Sequence, residues 1–527
     1  MEISPTSAKR LEMVLRDTRR LSGAPVESRS PLGYHVNWLT IIFLNVNHMV
    51  GTGIFSTPAT ILRLTGSVGL ALVYWVIGFL LAVAGLGVHL EFTSYFPTRS
   101  GSEVVWLEQS YPRPKHFFPV TYAVQTVLLS FSSSNAIVLS NYLWRIVGRT
   151  PSPWELKGVA IAAYTLAVIC VAAHNRYAYW AINGIGALKL LLLVFISISG
   201  LVILGGHVPS IPNPGLNFAD GKGFIGTTSS GYNLSQAMVN ITFAFSGWQN
   251  AFSMVNEIKN PIPTLKKNAT ASLLIVFTLY FLCNIAYFAA VPKDTFIKSS
   301  ELAAAVFFRT AFGSTAESAL NFCVPPQLLW QPAGRPHQPV AADPPFGTPI
   351  GPYLLKWAFT FLMIVAPPAG DAFQFVVSLK TYPDAIFHVA MGVGLLILRR
   401  RRDVSGTPRS EFRAWWAIVI LYLLAQVYLL IMPWIPPEKG IYAGTVSFFY
   451  ATYMIVGIGI IVICYIYYYF WMNLLPAGVA DWDATHDDLG RELRQRRPHR
   501  DSASEPSSEK PDGSDEKVSP TESVSRV

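Results

Sequence analysis

The chain has 527 residues, of which 51% are hydrophobic and only 13% charged, and its mean hydropathy is +0.37. That balance excludes an ordinary soluble globular protein, where about 25% of residues carry charge. The formal charge of +9 is dispersed among loops between apolar stretches, so it reads as a topology signal and gives no support to a nucleic-acid partner.

Residues 1–35 are polar and basic, with Lys9, Arg10, Arg16, Arg19 and Arg20. They lack a short apolar core followed by a small-residue cleavage site, so no secretory signal is read and the first span directs insertion. Crossing the hydrocarbon takes roughly 20 mostly apolar residues. Eleven windows qualify: 39–64, 69–92, 117–144, 156–173, 180–204, 235–256, 269–291, 352–367, 373–398, 414–434 and 443–472. The expectation is an all-α integral membrane protein, multi-pass, with a transmembrane domain over 36–475 between cytoplasmic tails 1–35 and 476–527. The C-terminal tail is rich in Ser, Asp, Glu, Pro and Arg and reads as disordered. Cys170, Cys283, Cys323 and Cys464 stand singly in apolar surroundings and read as buried packing residues.

Two spans are interrupted by small and polar residues. The first carries "NHMVGTGIFSTP" at residues 47–58, and the sixth carries "FAFSGWQN" at residues 243–250. Unwound backbone survives at membrane depth only where it lines a cavity or is buried in protein. The half-helix that begins after Gly53 directs its N–H groups and positive dipole into the break and suits a carboxylate, whereas exposed carbonyls near Ser246 suit an ammonium group. Together the breaks describe a site for an amino-acid zwitterion. The interval from the first span to the sixth is five spans, the spacing of a five-plus-five inverted repeat.

Charge sets the orientation. The N-terminal tail, Lys259, Lys266 and Lys267 after the sixth span, and Arg399 to Arg402 with Arg409 and Arg413 should be cytoplasmic, while Arg145, Arg149 and Lys157 fall outside. Counting crossings then leaves one span missing between Val291 and residue 352. Residues 325–345 hold Pro325, Pro326, Pro332, Pro336, Pro339, Pro344 and Pro345 and cannot form a regular helix. Two explanations stand: a long outer loop with a re-entrant neighbour, or an eighth helix that has been lost or altered.

These residues resemble a known family. "GTGIFSTP" is similar to the first-helix signature of the amino-acid/polyamine/organocation superfamily, "PTRSGSEVVWLEQSYP" at 97–112 to its first cytoplasmic loop, and "FSGWQNAFSMVNEIKNP" at 245–261 to its sixth helix. "PPFGTPIG" and "APPAGDAF" resemble the fungal methionine-permease group of its L-type amino-acid transporter branch. The resemblance implies a five-plus-five fold with first and sixth helices broken. It places the substrate carboxylate on the amides of Thr52, Gly53 and Ile54 beside Gly51, and the ammonium on the carbonyls of Phe243, Ala244 and Ser246 beside Gly247. Phe243 also matches an aromatic gate. The family's eighth helix should begin near "FGSTAESALNFCV"; similarity stops at Val324 and resumes near Pro345, as a misread intron, a frameshift or a decayed copy would produce.

Lys189 lies about ten residues into the fifth span, where an ammonium needs a partner; its family counterpart abuts the first-helix break, so it is the candidate coupling residue. Asp384 and Trp248 are further pocket candidates, with Lys380 a helical neighbour able to pair with Asp384. Glu91 and Glu103 read as solvated charges at the cytoplasmic boundary. The expected function is proton-coupled import of a neutral amino acid, methionine first, at a fungal plasma membrane, with no metal, no cofactor and no catalytic constellation. The expected partners are the amino acid, protons and the bilayer, with the tails as candidate sites for ubiquitin-ligase adaptors. The alternative is a nutrient sensor or defective permease that does not transport.

Overall fold

With no water in the hydrocarbon to satisfy peptide groups, apolar runs of this length must bond internally as helices, and the computed structural model is built that way. It describes residues 38–97, 99, 101–173, 175–208, 211, 213–219, 221–298, 303–322, 350–407, 410–438, 440–471, 482–486 and 492–496.

The first span is two helices, α1 (Trp38–Met49) and α2 (Thr52–Thr65), bent by 44° at the break. The chain continues through α3 (Val68–Tyr95), the short α4 (Glu103–Ser110), α5 (Phe117–Leu128) and α6 (Ser133–Val147), which share the third span, then α7 (Pro153–Ala173) and α8 (Asn175–Leu204). The sixth span is α9 (Gly231–Ala244) followed by a 3-10 segment, Trp248–Glu257. Beyond it come α10 (Pro261–Ala290), α11 (Lys293–Ile297), α12 (Ala303–Phe322), α13 (Ile350–Val365), α14 (Ala372–Val404), α15 (Trp416–Ile431) and α16 (Thr452–Tyr469). Among the described residues eight helices are long and apolar enough to cross a bilayer, or nine when α1 and α2 count as one span. Every one of the eleven sequence windows contains a helix, but the sixth and the residue-352 window hold shorter pieces.

The first span packs against the sixth, against α10 and against α8; the sixth packs also against α3 and α14. One large apolar cluster joins α1, α2, α3, α9 and α10, with Trp75, Phe55, Tyr280 and Phe252 fully enclosed.

Several expectations need correcting. Glu91 and Glu103 are not solvated. Glu91 is 0% exposed and receives Arg399 Nε at 2.7 Å and Nη2 at 2.6 Å, Tyr95 Oη at 2.6 Å and the Ala414 amide at 2.8 Å. Arg399 is therefore no loop charge but the anchor of α14 on α3. Glu103 lies 3.3 Å from Nε2 of buried His89; burial opposes its charge, but hydrogen bonds from His89 and Ser102 prevail and hold its carboxyl down to about 2. Cys170 is exposed, whereas Cys283 and Cys464 are buried and Cys323 lies outside the described residues.

The C-terminal tail, expected to lack structure, contains an antiparallel pair of strands, β1 (Trp482–His486) and β2 (Glu492–Arg496). The register pairs Trp482 with Arg496 and His486 with Glu492, and two strands alone are marginal in water. The proline-rich stretch 325–345 lies outside the described residues. The stretch before it is one helical element interrupted at Gly313 (φ 83°, ψ 177°).

The outer basic residues that weighed against the orientation are answered locally. Arg145 Nε meets Glu317 of α12 at 2.7 Å, Arg149 Nη2 lies 3.7 Å from Glu155, and Lys157 Nζ donates to the Val365 carbonyl at 2.7 Å.

Candidate substrate site at two broken helices

Helix α2 starts abruptly. Gly51 is its N-cap with φ −162° and ψ −143°, and no side chain caps it. The first amides of α2, on Thr52, Gly53 and Ile54, therefore form a buried helix N-terminus with no side-chain acceptor, suited to an anion. Pro58 removes one further amide from the ladder, and the Thr57 hydroxyl turns back to the Gly53 carbonyl.

At the other side of the break, the last carbonyls of α1 are held from neighbouring helices. Lys189 Nζ, on α8, donates to Asn47 O at 3.0 Å, and Tyr280 Oη, on α10, donates to Met49 O at 2.6 Å. Lys189 is only 1% exposed, and among the described residues no carboxylate lies within ion-pair distance. Asn45 Nδ2 reaches Ser272 Oγ at 3.1 Å. Beyond the break, Tyr142 Oη of α6 donates to Phe55 O at 3.2 Å.

The sixth-span break has its own chemistry. Ser246 returns its amide (3.1 Å) and hydroxyl (2.8 Å) to Phe243 O, so that carbonyl is already occupied twice. Gly247 adopts φ +117°, which L side chains avoid. Its amide is taken by Gln249 Oε1 at 2.9 Å and its carbonyl by Asn250 Nδ2 at 2.8 Å.

The two breaks meet. A Cβ on Gly53 would stand 2.8 Å from Ala244 Cα and 3.2 Å from Ala244 O, and one on Gly247 would stand 2.8 Å from the His48 carbonyl carbon. Only glycine allows either approach. Gly51, Thr52, Gly53, Ile54, Phe243, Ala244, Ser246 and Gly247 thus converge on one crossing, and the ring of Phe243 lies edge-on to Phe373 of α14 at 6.3 Å. The Ala244 carbonyl faces Gly53, which leaves Ser246 as the sixth-span carbonyl among the three without an assigned neighbour.

Trp248 and Asp384 are placed elsewhere. Trp248 packs edge-on to His89 at 4.7 Å and to Phe252 at 6.2 Å, against α3. Asp384 receives Gln125 Nε2 of α5 at 2.6 Å, and no ion pair joins it to Lys380 among the described residues. Sequence reasoning missed Tyr280, Tyr142 and Gln125. It also missed Ser56 and Thr242, whose hydroxyls are buried without a partner within a turn of the crossing; buried polar groups in that condition are rare. The only available signal was a hydroxyl in an apolar span next to a helix break.

Comparison with known proteins places this geometry. The amino acid permease family model matches residues 36–325 and 339–478. The high-affinity methionine permease of Saccharomyces cerevisiae is 31% identical over 462 residues, covering 83% of this chain and 79% of the relative. The low-affinity methionine permease of the same yeast is 28% identical over 478 residues, covering 85% and 84%. The b(0,+)-type amino acid transporter 1 of Mus musculus is 26% identical over 436 residues, covering 78% and 85%. With both broken spans inside the matched region and the match extending over most of its length, the chain belongs to the amino acid permease family.

Proposed function

We propose that this permease-family chain is a secondary transporter that carries a neutral amino acid, methionine first, inward across the plasma membrane by proton-coupled alternating access. The observation that carries the reading is the crossing of the two breaks at Gly53 and Ala244 and at His48 and Gly247. One break offers uncapped amides to a carboxylate, and the other offers the Ser246 carbonyl to an ammonium group. Ser56 and Thr242 stand beside them with hydroxyls to spare. An apolar wall led by Phe243 and Phe373 suits an uncharged side chain. Two relatives that bear the name methionine permease support the choice of substrate.

Lys189 is the coupling residue in this reading. Its ammonium bonds the last turn of α1, so loss of its proton weakens that donor and frees the helix end to move. Uptake of radiolabelled methionine by a host without its own methionine permeases tests the proposal. Saturable uptake that competes with unlabelled methionine and rises when the outside is acidified is the expected result.

A second reading, a permease-like protein that does not transport, is favoured by one observation: the family match breaks off between 325 and 339, inside the proline-rich text. Under that reading the chain reaches the cell surface and uptake stays at the host's background.

A further inference from the structure

At the end of the bundle that carries the tetra-arginine run, a cavity of about 280 Å3 is lined by Tyr95, Arg399, Arg402, Asp403, Thr407, Ser410 and Arg413. The positive-inside reading assigns this end to the cytoplasm. It lies far along α3 and α14 from the helix breaks and has no part in the substrate site.

Its walls are built around a buried arginine with a donor to spare. Arg399 is 2% exposed, and its Nε and Nη2 are committed to Glu91 and the Ala414 carbonyl. Its Nη1 is buried and has no acceptor. A guanidinium donor left in that condition is destabilising and uncommon in native folds. Arg402 is fixed by stacking over the Tyr95 ring at 4.5 Å. Arg413 stands across the cavity, 3.5 Å from Asp403 at the rim.

Three guanidinium groups, those of Arg399, Arg402 and Arg413, line the cavity, with the Asp403 carboxylate at its rim and Glu91 behind Arg399. Thr407 and Ser410 add hydroxyl donors. Guanidinium forks match the oxygens of a phosphate better than they match a single point charge, and the volume exceeds several-fold the roughly 30 Å3 share of one water. Basic pockets between spanning helices on the cytoplasmic side are also where anionic headgroups lodge.

We propose that this cavity binds an ionised phosphate group, with Arg399 Nη1, Arg402 and Arg413 as its ligands, and that the bound anion ties α14 to the loop at 410–413. The same chemistry is available from a phosphorylated inositol lipid or from free phosphate.

The full chain, purified in detergent, is titrated with dioctanoyl phosphatidylinositol 4-phosphate, with dioctanoyl phosphatidylinositol, and with inorganic phosphate, while the thermal unfolding midpoint is followed. A saturable rise with the first and none with the second is expected. A rise with inorganic phosphate at the same concentrations supports the site and assigns it to the soluble anion; a rise confined to the lipid supports the site and assigns it to the headgroup. Replacing Arg402→Gln and Arg413→Gln together should weaken the apparent affinity about 25-fold, roughly fivefold per arginine near the surface. Asp403→Asn, which removes a competing carboxylate at the exposed rim, should tighten it, and this variant carries the test if the double variant does not fold. No rise with either phosphate compound, an equal rise with unphosphorylated phosphatidylinositol, or affinities unchanged in both variants overturns the proposal.

Discussion

Gly53→Ala is the sharpest probe of the crossing. The added methyl would sit 2.8 Å from Ala244 Cα and 3.2 Å from Ala244 Cβ, against about 3.5–4.0 Å for unstrained carbon contacts. The two backbones must part by about 0.7–1.2 Å to accept it, an overpacking that typically costs about 1–3 kcal/mol. The larger effect falls on substrate. A ligand gripped at both ends tolerates such a shift only by lengthening one charge-assisted hydrogen bond, which contributes about 1.5–3 kcal/mol. Losing it raises KM about 10- to 100-fold. Initial rates of radiolabelled methionine uptake, normalised to surface-labelled carrier, give the number. Gly459→Ala in α16, where a Cβ meets nothing within 4 Å, is the matched control and should leave uptake intact. A Gly53→Ala carrier with the parent's KM at the parent's surface density would refute the idea that the two breaks grip one molecule.

Removing either partner of the Glu91–Arg399 pair strands a buried charge, so Glu91→Gln and Arg399→Met should each cost about 3–5 kcal/mol, whereas Glu91→Leu with Arg399→Met should recover most of it; thermal unfolding of purified protein reads the cycle, and additive losses would count against a buried pair. Lys189→Ala should slow uptake and flatten its dependence on outside pH, and a variant that keeps both the rate and the pH profile removes Lys189 from the coupling. Gln125→Leu deprives Asp384 of its 2.6 Å donor and should lower the unfolding temperature more than Asp384→Asn, which can still hydrogen-bond; the reverse order would show that Asp384 acts through its charge. Sequencing the transcript across codons 320–350 should reveal a message that, correctly joined, encodes an apolar eighth span; an uninterrupted message with this same text in an active carrier would contradict the altered-helix reading.

The breaks were legible because Gly51, Gly53, Pro58 and Gly247 are helix-breaking residues inside apolar runs, a local signal that needs no partner. What braces them was not. Tyr280 and Tyr142 look, in an apolar window, like packing residues, and only their distance from Met49 O and Phe55 O reveals them as donors. Glu91 looked solvated because its partner is 308 positions away and was counted as one of four loop arginines. Trp248 and Asp384 drew notice by residue type near a motif, yet each is aimed at a neighbouring helix: the alternation of faces in a 3-10 segment and around Pro383 is not readable from a helical period. The places of the two broken spans follow from local sequence and spacing, which is why the architecture was easier to foresee than its polar joints.

The Arg145–Glu317 contact couples residues separated by 172 positions, and that separation is also a delay. A ribosome adding about 5–20 residues per second needs about 10–30 s to make Glu317 after Arg145 has emerged. Throughout that interval the last turn of α6 presents the Arg145 cation without Glu317 to the insertion machinery, which weighs positive charge before any tertiary partner exists. A nascent chain that stalls or ends before α12 is thus the species most prone to be threaded the wrong way round, and its quality control begins long before a substrate is ever met.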